Sequence, residues 1–194
     1  MKMALFYYDG FSEFEVVLIG LFFKQHDVMS IALENREYCS EERQRFCVDR
    51  VIQEVDVDAI DLLVIPGGDP TPLVENRELK GFIEDLLRRN KKVAAICGGS
   101  ILLAGLGLLE GKRCTGMSSG VDPRLRSYYD YYSESTVLED HVVVDGNIIT
   151  AQGQAYVEFA TELLRQMGLF KREEEYDEVL RWFKNIRPTD SARL

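Results

Sequence analysis

At 194 residues with a formal net charge of −10, the chain is long enough to enclose one sizeable core without disulfides or metal. It is too acidic for a general nucleic-acid binder, whose phosphate affinity comes from clustered Lys and Arg. Its 46% hydrophobic and 29% charged residues exclude a disordered chain and a membrane protein. No stretch approaches the roughly 18 uninterrupted apolar residues of a membrane span and no secretory signal is seen, so a cytoplasmic location with no membrane partner is expected.

Residues 1–8 form a short apolar strand that ends in the turn residues Asp9 and Gly10. Ser12 is placed to cap a mainly apolar helix from residue 13 to about 25, which carries Val16, Val17, Ile19, Leu21, Phe22 and Phe23 around most of its circumference. Glu13 and Glu15 stand in its first turn, where either carboxylate would complement the helix dipole. Residues 28–33 read as a second strand and 34–44 as an exposed hairpin or loop. Residues 45–54 return as a strand carrying Val48, Val51 and Ile52. A central strand, 61–65, runs into Pro66-Gly67-Gly68-Asp69. Two glycines directly beyond a strand let backbone amides approach a ligand or nucleophile, although a plain turn uses the same residues.

A helix lies within 73–90, with Leu79, Phe82, Ile83, Leu86 and Leu87 on one face. The apolar run 93–96 then suits a buried parallel strand, and 101–106 continues as a packed helix. Cys97 sits at the junction. Ala95-x-Cys97-x-Gly99 is the cysteine form of the nucleophile elbow, in which small neighbours permit a strained turn that exposes the nucleophile above the sheet. Helix N-terminal amides there favour a thiolate and can serve an oxyanion. A buried structural cysteine is the alternative. Cys39, Cys47 and Cys114 have no such context, and with no C-x-x-C pair the chain encodes neither zinc site nor disulfide framework. No metal and no organic cofactor is implied.

Gly105, Gly107 and Gly111 break the elbow helix and lead through 112–116 to another short strand; 117–123 is loop-like. Residues 128–132 place four tyrosines around Asp130, able to wall a pocket, meet a subunit or simply pack. Residues 137–145 and 148–151 read as two strands joined by Gly146-Asn147, followed by a helix over 155–167. The charged tail from Lys171 holds Tyr176, Val179, Leu180, Trp182 and Phe183, enough for one amphipathic helix before Pro188, with disorder expected at the very end. Alternating strands and helices indicate an α/β fold on a mainly parallel sheet. One domain is expected over 1–170, with a charged helical extension over 171–194.

Four stretches carry a family resemblance: 4–11 with the acidic helix after it, 63–68, 94–99 and 148–160. In this order they resemble the DJ-1/PfpI (ThiJ) family over about residues 1–168. The resemblance implies a three-layer flavodoxin-like sandwich of the class I glutamine amidotransferase-like group, built around a nucleophile elbow. It implies Cys97 as nucleophile, Glu15 rather than Glu13 as the carboxylate beside it, and Gly67 or Gly68 with Gly98 as oxyanion donors. A carboxylate and a thiolate so close repel, so Glu15 is expected to be protonated and to donate to the thiolate, or to a sulfinate after oxidation. Hydrolase-like members carry a histidine after the elbow helix, where Met117 stands here. His26 and His141 fall on no matching position, so papain-like Cys-His proteolysis is not encoded. Ser118, Ser119 or a tyrosine from 128–132 could enter the pocket instead.

The expected function is therefore a cysteine-dependent, hydrolase-like activity on a small electrophile, in a family labelled intracellular protease or glyoxalase. The alternatives are an oxidative-stress sensor in which Cys97 is oxidised beside Glu15, and a binding module without turnover. The expected partners are a small-molecule substrate or oxidant and a second copy of the chain, with the first helix and the tail as contact faces.

Overall fold

The computed structural model describes residues 1–116 and 123–187, with the side chains of 123–127 excepted. The strands are β1 (Lys2–Phe6), β2 (Asp27–Ala32), β3 (Tyr38–Cys39), β4 (Arg45–Phe46), β5 (Arg50–Val51), β6 (Leu62–Ile65), β7 (Lys92–Ile96), β8 (Arg113–Cys114), β9 (Thr136–Val137), β10 (Val142–Asp145) and β11 (Ile148–Ala151). The α-helices are α1 (Phe14–Phe22), α2 (Arg77–Arg88), α3 (Gly98–Gly105), α4 (Tyr156–Gln166) and α5 (Glu174–Phe183). Residues Pro123–Tyr132 form a 3-10 helix.

Seven strands make one sheet in the order β10-β11-β7-β6-β1-β2-β5. Only the β10–β11 hairpin pairs antiparallel within it. Strands β6 and β7 are short apolar runs because helices cover both faces of the sheet, leaving no side for polar alternation. The chain leaves β1 toward β2 on one side and returns to β6 on the other. Right-handed crossovers then set α1 and α2 on opposite faces. On one face α1 packs on α4 and α4 on α5; on the other lie α2 and α3. Helix α2 buries Leu79, Phe82, Ile83 and Leu86, and the Asn76 side chain caps it by accepting from the Leu79 N–H at 2.9 Å.

The register decides where chemistry can occur. Ile65 pairs with Ala95 and Ile96 with Ala151, so β6, β7 and β11 end side by side, next to the end of β1. The strand order reverses between β1 and β6, and in open α/β sheets ligands bind beyond the carboxyl ends at such a point.

Three local expectations are corrected. Ser12 does not cap α1; its hydroxyl donates to Glu41 at 2.7 Å, and the free amides of Glu13 and Phe14 are met by the Glu42 carboxylate from the β3–β4 hairpin. Residues 45–54 are two short strands and a turn, with only β5 joining the main sheet. Residues 137–145 divide, because Val137 pairs with β8 while Val142 begins β10 against β11. Residues 117–122, which the sequence reads as loop-like, and 188–194 lie outside the described residues, and with them Met117, Ser118 and Ser119. Among the described residues no helix is long and apolar enough to cross a membrane.

Leu63 sits at the centre of β6, fully buried between β1 and β7. Leu63→Ala is expected to lower stability by about 2–5 kcal/mol in chemical denaturation, as cavity-forming substitutions in close-packed cores do.

Candidate functional site

Four strand ends build the site. Strand β1 leads to Tyr8, β6 to Gly67 and Gly68, β7 to Cys97, and β11 to Gln152 and Gly153. Cys97 has φ 53° and ψ −123°, a conformation that side-chain-bearing residues rarely adopt. Its N–H donates to the Ala151 carbonyl at 2.9 Å, and its own carbonyl accepts from the Ser100 N–H at 3.0 Å, opening α3. The strained turn is thus tied on one side to the sheet and on the other to the helix.

Glycines let the loops close on it. A Cβ added at Gly67 would lie 2.6 Å from Glu15 Oε2 and 3.1 Å from Cys97 Sγ, and one at Gly153 would lie 3.0 Å from Cys97 Sγ. A Cβ at Gly98 would overlap the Gly68 carbonyl. Side chains at these positions would fill the space around the sulfur.

Glu15 reaches the thiol from the first turn of α1 and is almost fully buried. Its Oε2 accepts from the Gly67 N–H at 2.6 Å, and its carboxylate is also hydrogen-bonded to the Cys97 thiol. Glu13 turns away, accepting from Ser40 at 2.7 Å and Gln44 at 2.5 Å on the β3–β4 hairpin. The choice between the two acids is therefore made by their helical phase. Of the glycine amides, Gly67 is engaged by Glu15 and Gly98 by the Cys97 sulfur.

The electrostatics oppose the expected thiolate and support the expected rise of Glu15. Burial, followed by the Glu15 charge, pushes the Cys97 thiol up to about 12, against the pull of the Gly98 N–H. Burial raises Glu15 to about 7, partly offset by the Gly67 N–H and the thiol. Among the described residues the charges that bear most on Cys97 are the Glu15 and Glu41 carboxylates, and both oppose its ionisation. Near neutral pH, where Glu15 is about half ionised, the thiol keeps its proton and donates it to the carboxylate form, rather than the carboxyl donating to a thiolate.

Tyr8 and Gly153 had not been singled out as site residues in the sequence, and Tyr132 stood only as one of four tyrosines able to enter the pocket. Tyr8 donates its hydroxyl to the Gly67 carbonyl at 2.7 Å, fixing the loop that holds Glu15. Gly153 repeats the signal of Gly67, a glycine just past the end of a central strand, and was legible on the same rule. Tyr132 could not be singled out among its neighbouring tyrosines; its ring is buried while Tyr129 and Tyr131 are exposed. His141 turns to Glu158 at 3.3 Å, and His26 packs near Phe23. Among the described residues no cluster of His, Cys, Asp and Glu is arranged to hold a metal ion.

Because the folded carboxyl of Glu15 titrates near 7 and the unfolded one near 4.5, the native state holds a proton that the unfolded chain has released between those values. Stability falls as pH rises through that window. Glu15→Gln, which keeps an acceptor for Gly67, is expected to gain up to about 3 kcal/mol on wild type between pH 4.5 and 8 in denaturation curves. A constant offset across that range would count against the raised carboxyl.

A model of the DJ-1/PfpI family matches residues 1–166. The uncharacterized protease YdeA of Bacillus subtilis is 30% identical over 183 residues, covering 93% of this chain and 90% of that protein. The deglycase TK1284 of Thermococcus kodakarensis is 26% identical over 155 residues, 78% of this chain and 90% of that one. Other matches are shorter: the chain spans about six-tenths of the length of two further relatives. Relatives in the family carry the names deglycase, isonitrile hydratase and protease. In structure, the DJ-1 superfamily protein Atu0886 of Agrobacterium tumefaciens superposes with a TM-score of 0.80 at 26% identity, covering 96% of this chain and all of that one. With the elbow cysteine, the buried glutamate and the flavodoxin-like sheet in place, the chain belongs to the DJ-1/PfpI family.

Proposed function

We propose that the protein is a Cys97-dependent enzyme acting on a small electrophilic carbon, such as an aldehyde or an isonitrile-like group. The observation that carries this reading is the Cys97 thiol hydrogen-bonded to a buried carboxylate that titrates near 7. A general base with that pKa takes the thiol proton as sulfur attacks, which removes the need for a preformed thiolate. For an aldehyde, the S–C bond forms while the carbonyl π pair moves onto oxygen. The thiol proton passes to Glu15 and then to that oxygen, giving a hemithioacetal with all atoms accounted for. The names deglycase and isonitrile hydratase among the relatives support a substrate of this size and chemistry. In this reading the Gly98 amide, already directed at the Cys97 sulfur, serves the new oxyanion together with Gly68, and Gly67 joins when Glu15 releases its N–H.

Sensing is the second reading, favoured by the same pair. Two equivalents of peroxide convert a thiol to a sulfinic acid and release two waters, and a Glu15 that can be protonated near neutral pH is able to donate to the sulfinate. We also propose a cytoplasmic homodimer. Phe14, Val17 and Leu21 are exposed on α1 beside Tyr156 and Phe183, forming an apolar face continuous from the first helix to the tail.

With methylglyoxal as substrate, Cys97→Ser is expected to abolish consumption, and Glu15→Gln to lower it about 100-fold and remove the rate inflection near pH 7. Turnover retained in Cys97→Ser would refute the nucleophile. Absence of wild-type turnover together with a stable Cys97 sulfinate after dilute peroxide would favour the sensor. For the dimer, light scattering on dilution is expected to give twice the chain mass, and Val17→Glu to give the monomer mass; a monomeric wild type would discard the interface.

A further inference from the structure

The Tyr132 hydroxyl is buried and has no hydrogen-bond partner among the described residues. An unpaired buried hydroxyl is destabilising and marks a place where a partner is missing. Its surroundings locate that place. The 3-10 helix that ends at Tyr132 packs on α3. A Cβ built on Gly116 would lie 3.5 Å from the Tyr132 oxygen and 2.8 Å from Ser100 Oγ. Ser100 is three residues beyond Cys97 at the start of α3, and its own hydroxyl is taken by the Ala95 carbonyl at 3.2 Å. Gly116 lets its backbone pack directly against Ser100, where a Cβ would overlap the serine Cβ, and its φ of 146° suits glycine. Thr115 is anchored through its N–H to Thr150 at 2.9 Å, so this wall is fixed to the end of β11. Ionisation of Tyr132 is opposed first by burial and then by charge at Cys114 and Cys97, which sets it within electrostatic reach of the nucleophile while keeping its proton available to donate.

We propose that Tyr132 donates a hydrogen bond to an anionic oxygen carried at Cys97. This inference deepens the reading of Cys97 as a reactive thiol. The oxygen has two possible sources of one chemistry: the oxyanion of a carbonyl adduct, or an oxygen of the sulfinate formed with peroxide. In either case the hydroxyl forms no covalent bond and keeps its proton. It supplies a neutral donor on a flank of the elbow without a described histidine, and stabilises charge that is absent in the resting thiol.

Tyr132→Phe removes one oxygen and preserves the ring. Because that oxygen is unpaired at rest, the variant is expected to melt at the wild-type temperature or slightly above it. Methylglyoxal turnover is expected to fall about 100-fold in kcat with little change in KM, while iodoacetamide alkylation of Cys97, which develops no oxyanion, keeps its wild-type rate. In the second arm, oxidation to the sulfinate is expected to raise the wild-type melting temperature and to raise that of Tyr132→Phe less. A loss confined to the turnover arm assigns the donor to the carbonyl adduct. If wild type turns over nothing but the sulfinate arm depends on Tyr132, the enzyme reading fails and this inference stands. Equal behaviour of the two proteins in both arms, parallel loss of alkylation, or a wild type that forms neither product would overturn it.

Discussion

Everything at this site depends on holding a side-chain-bearing residue at φ 53°. Such a conformation costs on the order of 1–3 kcal/mol and persists only where the surroundings over-determine it. Here the sheet contributes the bond from the Cys97 N–H to Ala151, and the helix contributes the bond back to the Cys97 carbonyl. The loops after β6 and β11 come within contact of the sulfur because Gly67 and Gly153 carry no Cβ. Strand register, helix start and glycine placement are three expressions of one constraint: the cysteine must project above the strand ends.

That closeness determines the charge balance. Packing three chain segments around a thiol and a carboxylate removes water from both, and desolvation then outweighs the helix N-terminal amide that favours the thiolate. Elbow geometry alone does not make an activated cysteine. What it makes here is a thiol whose proton has one prepared destination, Glu15. The Gly67 loop holds that destination in place, and Tyr8 holds the loop. Two hydrogen bonds thus tie the carboxylate to the segments that follow β1 and β6.

The same helix that delivers Glu15 inward turns an apolar stripe outward. On α1, Glu15, Val16 and Ile19 are buried while Phe14, Val17 and Leu21 remain exposed. The tail extends this surface, since Phe183 of α5 packs edge-on against Phe22 at 4.9 Å between ring centres, and Lys184 pairs with Glu158. The two faces of one short helix tie the buried carboxylate to an exposed apolar surface.

Much of the fold was legible from periodicity. The runs 61–65 and 93–96 read as buried strands because a strand covered on both faces needs no polar alternation. The 77–88 helix was readable because it buries one stripe. Cys97 was legible because small residues cluster where a strand meets a helix. The boundaries within 45–54 and 137–145 were not, since each divides where the chain changes strand partner, and partner choice leaves no local periodicity. Glu42 capping α1 from a separate hairpin is invisible for the same reason. The sequence by itself determined the α/β class, the elbow and the paired acids at 13 and 15, all of which depend on near-neighbour sterics and spacing. Tertiary structure alone decided that Glu15 faces the sulfur while Glu13 faces Ser40, that the thiol keeps its proton, and that Tyr132 is the buried tyrosine. Helical phase relative to a distant loop, desolvation and the absence of a hydrogen-bond partner are properties of the packed chain and have no value until the strand ends meet.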